Sequence, residues 1–334
     1  MALNEIWFLI VGFLFIGYFV LDGFDFGVGM SLPFLGKDDT DRRVLINTIG
    51  PVWDLNETWV LVAGASLFAS FPEWYASLFS GFYLALLLIL VALILRGVAF
   101  EYRGKGETTK WKRTFDWMIV VGSALPALLW GVAFANIVNG VPLNAQHIYT
   151  GNLFTLLNPY GLLGGLTTLT VFWLHGLIFI SLKTDGEIKD RARTLAKTVG
   201  YAATVIAASF LVWTLVVHFS VIGFVLTGIA ALALIAAQAA NWIKREGLAF
   251  TLMVLTIITA VGALFAALYP NVLPSTTDPA FSLTIENASS SQYTLTVMSW
   301  VAAIMIPFVL AYQTWTYWVF RKRISRKNIP ATAH

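Results

Sequence analysis

Gly50-Pro51-Val52-Trp53-Asp54-Leu55-Asn56-Glu57-Thr58-Trp59 opens a run of apolar residues that continues to Phe71. The run has the character of a membrane-spanning helix. Its first turns nevertheless carry two carboxylates and an amide, groups that hydrocarbon tolerates only when they are paired. Asp54 and Glu57 stand three residues apart and so share a helical face. Trp53 flanks them, and Trp59 follows one to two turns further on. Two readings are open at this point. Either the helix is built to face protein, water or protons, or the acids are N-terminal helix charges at the membrane interface, favoured by the macrodipole.

The rest of the chain places this stretch in a membrane. Of 334 residues, 58% are hydrophobic and 12% charged, whereas soluble domains carry about 25% charged residues. Apolar runs of 18 or more residues recur, which is the pattern of a polytopic helical membrane protein. The short alternating segments of a transmembrane barrel are missing. The sequence contains no cysteine, which excludes disulfides, thiolate metal sites, iron–sulfur ligation and cysteine catalysis. The first apolar run has neither a basic n-region nor a small-residue cleavage site, so it reads as a retained helix rather than a signal peptide.

Nine spans are expected, at roughly 6–32, 52–72, 74–100, 115–138, 159–182, 194–217, 221–243, 249–270 and 295–320. The tight turn Phe71-Pro72-Glu73-Trp74 makes an antiparallel hairpin of the second and third. Four plus four plus one is the natural grouping: an all-α polytopic membrane protein with two four-helix bundles and a peripheral helix, forming a single integral membrane domain over 1–334. With nine crossings, 20 of the 21 Lys and Arg fall on one side: Lys37 to Arg43, Arg103 to Arg113, Lys183 to Lys197, Lys244 with Arg245, and Arg321 to Lys327. By the positive-inside rule that side is cytoplasmic, with the N-terminus outside and the C-terminus in the cytoplasm.

The remaining basic residue is Arg96, preceded by ten apolar residues. It costs at least ~2.5 kcal/mol at depth unless it snorkels or pairs. In this topology Asp22 and Asp25 of the first helix, Asp54 and Glu57 of the second, and Arg96 of the third share a layer. Asp25 lies about seven residues, or ~10 Å, from its helix end, and Glu101 is at the rim of the layer. Buried carboxylates there either pair with Arg96 or hold protons, and both arrangements serve proton relays. Gly23 and Gly27, at four-residue spacing, read as helix-packing positions. The four histidines, His147, His175, His218 and His334, offer no pair at matched depth for a bis-histidine haem, although a methionine could replace one ligand, and His175 reads as a hydrogen-bonded core residue. The outer loops 139–158 and 271–294 are polar connections.

The motifs Gly23-Phe24-Asp25-Phe26-Gly27-Val28-Gly29-Met30, Asp41-Arg42-Arg43, Trp53-Asp54-x-Asn56-Glu57-x-Trp59, Phe71-Pro72, Arg96-Gly97-Val98-Ala99-Phe100-Glu101-Tyr102-Arg103 and His175-Gly176 together resemble subunit II of the bacterial cytochrome bd quinol oxidases. The similarity continues to Tyr317-x-Val319-Phe320-Arg321-Lys322-Arg323. One departure is Leu55, where the family often has Gly or Ala. The resemblance implies a plasma-membrane complex that oxidises quinol and reduces dioxygen to water with cytoplasmic protons. Its two b-type haems, one d-type haem and quinol-oxidising loop belong to subunit I, the expected partner. Small accessory subunits are further partner candidates, some members hold a structural quinone in this subunit, and no nucleic acid is implied. By motif, Asp25, Trp53, Asp54 and Arg96 match a polar cluster in which Asp54 lies on a proton route, with Asp22, Asn56 and Glu57 in support. Glu101 and Lys105 match its cytoplasmic entrance. Trp59 matches a tryptophan lining the hydrophobic passage for dioxygen. A proton-coupled secondary transporter would use the same acid–arginine layer, but it predicts internal repeats and helices broken at the midplane, whereas these acids lie off the midplane. A purely structural partner subunit would make Asp54 and Glu57 interface polarity alone.

Overall fold

The computed structural model describes residues 2–329, so His334 lies outside the described residues. The first helix, α1, runs from Leu3 to Leu35 and is followed by a short amphipathic helix, α2 (Asp39–Ile49). Next come α3 (Trp53–Ser70), α4 (Pro72–Gly81), α5 (Tyr83–Tyr102), α6 (Thr109–Asn139) and the single turn α7 (Leu153–Leu156). The second half holds α8 (Pro159–Lys183), α9 (Glu187–Val217), α10 (Val221–Trp242), α11 (Glu246–Leu268) and α12 (Gln292–Val319). A small antiparallel pair, β1 (Asn271–Leu273) with β2 (Leu283–Thr284), lies between α11 and α12. Side-chain caps start several helices: Asp38 for α2, Thr108 for α6, Asn158 for α8, Ser220 for α10 and Ser291 for α12 each accept a backbone N–H. These caps satisfy donors that a helix start leaves orphaned.

Among the described residues eight helices are long and apolar enough to cross a membrane: α1, α5, α6, α8, α9, α10, α11 and α12. The helix expected at 52–72 forms as α3, but Asp54, Asn56 and Glu57 keep it out of that group. The expected helix at 74–100 is two helices that meet at Phe82. Pro72, at the first turn of α4, starts a separate ten-residue segment, as proline does where no N–H is needed. The expected hairpin is therefore opened by α4. α3 and α5 meet at one end, where the Trp53 ring packs 5.2 Å from Phe100 and beside Gly97.

α1 is the axis of the molecule, packing on α3, α6, α8 and α11. It meets α8 backbone to backbone: a Cβ on Gly27 would stand 2.1 Å from the Phe172 carbonyl oxygen, and one on Gly176 would stand 2.3 Å from the Gly27 carbonyl carbon. Glycine alone permits that approach, the usual device for close helix contact in lipid. α12 is peripheral. Of its 28 residues only Leu295, Gln313 and Thr316 are buried.

The basic segments gather at one end through ion pairs. Asp116 takes Arg42 at 2.9 Å and Arg103 at 2.5 Å, and Asp39 takes Arg103 at 2.9 Å and Lys112 at 3.1 Å. Asp41, 1% exposed, takes Arg191 and Arg326, both at 2.6 Å, and Arg326 also reaches Asp38 at 2.7 Å. Glu246 takes Arg193 and Lys189. The Lys183 ammonium donates to the carbonyls of Phe320 and Lys322. The segment after α12 is thereby strapped across the end of the bundle, with the Ile324 N–H on the Lys183 carbonyl at 2.8 Å.

Candidate functional site

Within the bundle, Arg96 is fully buried at 0% exposure. Its Nη2 donates to Asp22 Oδ1 at 2.6 Å and to Glu57 Oε2 at 2.9 Å, and its guanidinium lies 4.4 Å from the Phe26 ring centroid. One cation from α5 thus joins acids from α1 and α3 and rests on an aromatic face, which also favours a cation. Arg96 pairs in the interior and does not snorkel. Asp25, one turn from Asp22 and equally buried, accepts from Asn56 Nδ2 at 2.8 Å. Asn56 Nδ2 also reaches the Leu21 carbonyl at 3.3 Å, while Asn56 Oδ1 accepts from Gln313 Nε2 at 3.1 Å and Tyr317 Oη at 2.7 Å. Four polar atoms here are buried without a partner among the described residues: Asp22 Oδ2, Asp25 Oδ1, Arg96 Nε and Arg96 Nη1.

Asp22, Asp25, Asn56, Glu57 and Arg96 are therefore brought together. The remaining expected residues stand apart from this core. Asp54 is exposed on the outer face of α3, and its carboxylate makes no hydrogen bond among the described residues. Glu101 and Lys105 are exposed at the basic end, where the Lys105 ammonium lies 4.2 Å above the Tyr102 ring. Trp53 is half-buried beside α5. Gln313, Tyr317 and Phe26 belong to the site but are not singled out for it by the sequence: Phe26 and Tyr317 stand in the family-like motifs without a role, and Gln313 is one of two glutamines in α12.

Trp59 borders a different space. A cavity of about 690 Å³ opens between α1, α3 and α12, lined by Phe13, Leu55, Trp59, Val62, Met305 and Gln313 among others. Its walls are mostly apolar, with Thr58, Ser66, Tyr312 and Gln313 as polar members of the lining. The Trp59 ring lies edge-on to Phe13 at 5.8 Å and directly against Gly17, where a Cβ would stand 2.2 Å from it. Leu55 forms part of this wall, which gives the side chain a location that its sequence context does not explain.

Residues 3–320 match the family described as cytochrome bd terminal oxidase subunit II. The chain belongs to that family. It is similar to cytochrome bd ubiquinol oxidase subunit 2 of Bacillus subtilis (41% identity, covering 98% of each chain) and to cytochrome bd-I ubiquinol oxidase subunit 2 of Escherichia coli K12 (38% identity, covering all of this chain and 98% of the relative). The fold is that of the structure of bd oxidase from Geobacillus thermodenitrificans, with a TM-score of 0.78 at 16% identity, covering 96% of this chain and 99% of that one. The subunit II chain is thus a multi-pass membrane component of a terminal oxidase, an oxidoreductase complex.

The family implies haem in the complex, and His175 is this subunit's fully buried histidine among the described residues. Its ring stacks on Phe250 with centroids 4.9 Å apart, meets Phe24 edge-on at 5.7 Å, and approaches the Val20 carbonyl oxygen through Nε2 at 3.1 Å. Its Nδ1 has no hydrogen-bond partner among the described residues. Nor do the described residues include a group of three His, Cys, Asp or Glu arranged for a metal ion.

Proposed function

We propose that this subunit II supports quinol:dioxygen oxidoreduction on a haem-bearing subunit I, which carries the two b-type haems and the d-type haem. It scaffolds that partner and supplies proton access through the Arg96 cluster and dioxygen access through the cavity beside Trp59. The observation that carries the proton role is the sharing of one buried guanidinium by Asp22 and Glu57, next to Asp25 and four orphaned polar atoms. Orphaned buried polar atoms are where ordered water is held, and charged groups in a spanning segment mark proton relays. Glu101 and Lys105, exposed at the basic end, are the entrance of this route, and Asp54 meets it from the outer face of α3. A structural quinone would lay its tail in the same apolar cavity.

The orientation follows from the basic end facing the cytoplasm. Ion pairs hold the α1–α2 region, the α5–α6 turn, the start of α9 and the tail at that end. The chain leaves that end after α2 and is back there after α5. α5 is long enough to cross once, and this path supports a crossing by α3 in the other direction. α3 is then the ninth crossing, the N-terminus is outside and the C-terminus is cytoplasmic.

The test is dioxygen consumption by the assembled complex carrying Asp25→Asn, Asp54→Ala or Glu101→Ala. Turnover falls at least about tenfold for Asp25→Asn, a change of ~1.4 kcal/mol in the barrier, with haem content unchanged. Normal turnover together with normal haem content removes the proton role from the residue concerned.

A further inference from the structure

The side of the cluster away from Arg96 is closed by α12, a helix that otherwise barely touches the protein. Two of its polar side chains, Gln313 and Tyr317, converge on one atom, Asn56 Oδ1, at 3.1 and 2.7 Å. An asparagine amide donates from nitrogen and accepts at oxygen, and it can be turned either way. With two donors on its oxygen, Asn56 has to present Nδ2 to Asp25 Oδ2 and the Leu21 carbonyl. Turned over, its oxygen would face a carboxylate and its NH2 would face that of Gln313. Gln313 is oriented in turn, because its Oε1 lies 3.5 Å from Trp59 Nε1, and an indole nitrogen only donates. At the far end Asp25 Oδ2 accepts from Asn56 Nδ2. The hydrogen bonds therefore run in one direction: Trp59 to Gln313, Gln313 to Asn56, Asn56 to Asp25, with Tyr317 as a second donor at Asn56.

We infer that Gln313 and Tyr317 are positioning residues for Asp25. From α12 they hold Asn56 so that Asp25 always meets a donor, and the Trp59 indole stands behind them, acting on the proton cluster as well as on the apolar cavity it lines. This inference rests on the proton-access reading above. It gives the peripheral helix a function that its few packing contacts do not suggest. It also makes Gln313 the partition between the apolar space and the charged one, since that side chain lines the cavity and bonds to the cluster.

The experiment uses the assembled, haem-loaded complex and reads kcat and KM for dioxygen separately. Tyr317→Phe removes one hydroxyl, and Trp59→Phe keeps an apolar ring on the cavity wall while removing the N–H. Tyr317→Phe lowers kcat about three- to tenfold, the effect of losing one hydrogen bond to a polar network, and leaves KM unchanged. Trp59→Phe lowers kcat in the same way. In an Asp25→Asn background Tyr317→Phe has no further effect, because both changes act on one route. Equal losses in both backgrounds, or no loss in the parent complex, overturn the inference. A raised KM for Trp59→Phe at unchanged kcat leaves that residue a passage role alone and removes it from the chain of donors. If Asp25→Asn itself turns over normally, the proton-access reading fails and this inference falls with it. If Asp25→Asn is slow and Tyr317→Phe is not, the positioning role alone fails.

Discussion

Arg96 neutralises two acids that come from different helices, so its removal is felt well beyond one contact. Arg96→Leu leaves Asp22 and Glu57 without their cation inside the bundle, and breaking a buried pair from one side costs about 3–5 kcal/mol. Arg96→Leu complexes are expected to assemble poorly and to melt at lower temperature, whereas Arg96→Leu with Asp22→Leu recovers part of the loss. If the single and double variants melt alike, Asp22 does not depend on this arginine. Gly27 makes a second residue-scale prediction. Its missing Cβ would stand 2.1 Å from a backbone oxygen that cannot swing away, so Gly27→Ala costs about 1–3 kcal/mol as an overpacking change, read as reduced complex yield and lower thermal stability. Gly64, where an added Cβ would meet nothing within 4 Å, is the control: Gly64→Ala is neutral. Much at this scale is legible in the sequence. Asp22, Asp25, Asn56, Glu57 and Arg96 each stand out as polar residues in apolar runs, and spans drawn by hydropathy bring them to one level. Asp54 falls in with them on paper because a three-residue spacing to Glu57 suggests one face. In the fold Glu57 turns towards Arg96 and Asp54 turns out, since a rotation of about 300° over three residues still separates their directions enough for the bundle edge to fall between them.

At the scale of elements, the long apolar helices are visible in the sequence because their runs exceed what any turn could interrupt. α2 is not, because its 11 residues alternate acids, bases and aliphatics and resemble a charged loop. The break at Phe82 follows Ser80-Gly81, where a Cβ on Gly81 would stand 2.7 Å from Tyr149, and a lone glycine in a long run is a weak stop signal. The tail after α12 carries the prediction at this scale. The backbone N–H of Asp41, followed by the guanidinium of Arg326, holds the Asp38 carboxyl below the ordinary aspartate value, near 4 for a free side chain. A depressed folded value means that this contact stabilises the fold above about pH 4 and is lost as pH falls through the folded value. Hydrogen exchange of residues 321–329, corrected for intrinsic rates, is therefore expected to quicken as pH drops below about 4. High salt quickens it at neutral pH through screening of the exposed Arg326–Asp38 pair. Unchanged protection in both conditions would show that the strap holds without the Arg326–Asp38 pair.

At the scale of the whole molecule, the two ends differ in kind. One is tied by ion pairs among basic segments, and the other by short strands and side-chain hydrogen bonds to backbone carbonyls, such as the Asn4 amide on Ile285 and the Ser77 hydroxyl on His147. Between them α12 stands off from α1 and α3 and leaves the cavity of about 690 Å³. The charge asymmetry that sorts the ends can be counted along the chain, while the cavity cannot, because it arises from how far one helix stands from two others.

The strap also imposes an order in time. Asp38 and Asp41 follow the first helix, and Arg326, which grips both, is made 285 residues after Asp41 and 288 after Asp38. Until Arg326 is made, Arg191 is the one cation paired with Asp41 among the described residues. Closure of the basic end thus waits for the segment after α12, and a chain cut short before Arg326 would leave Asp38 and Asp41 without that cation.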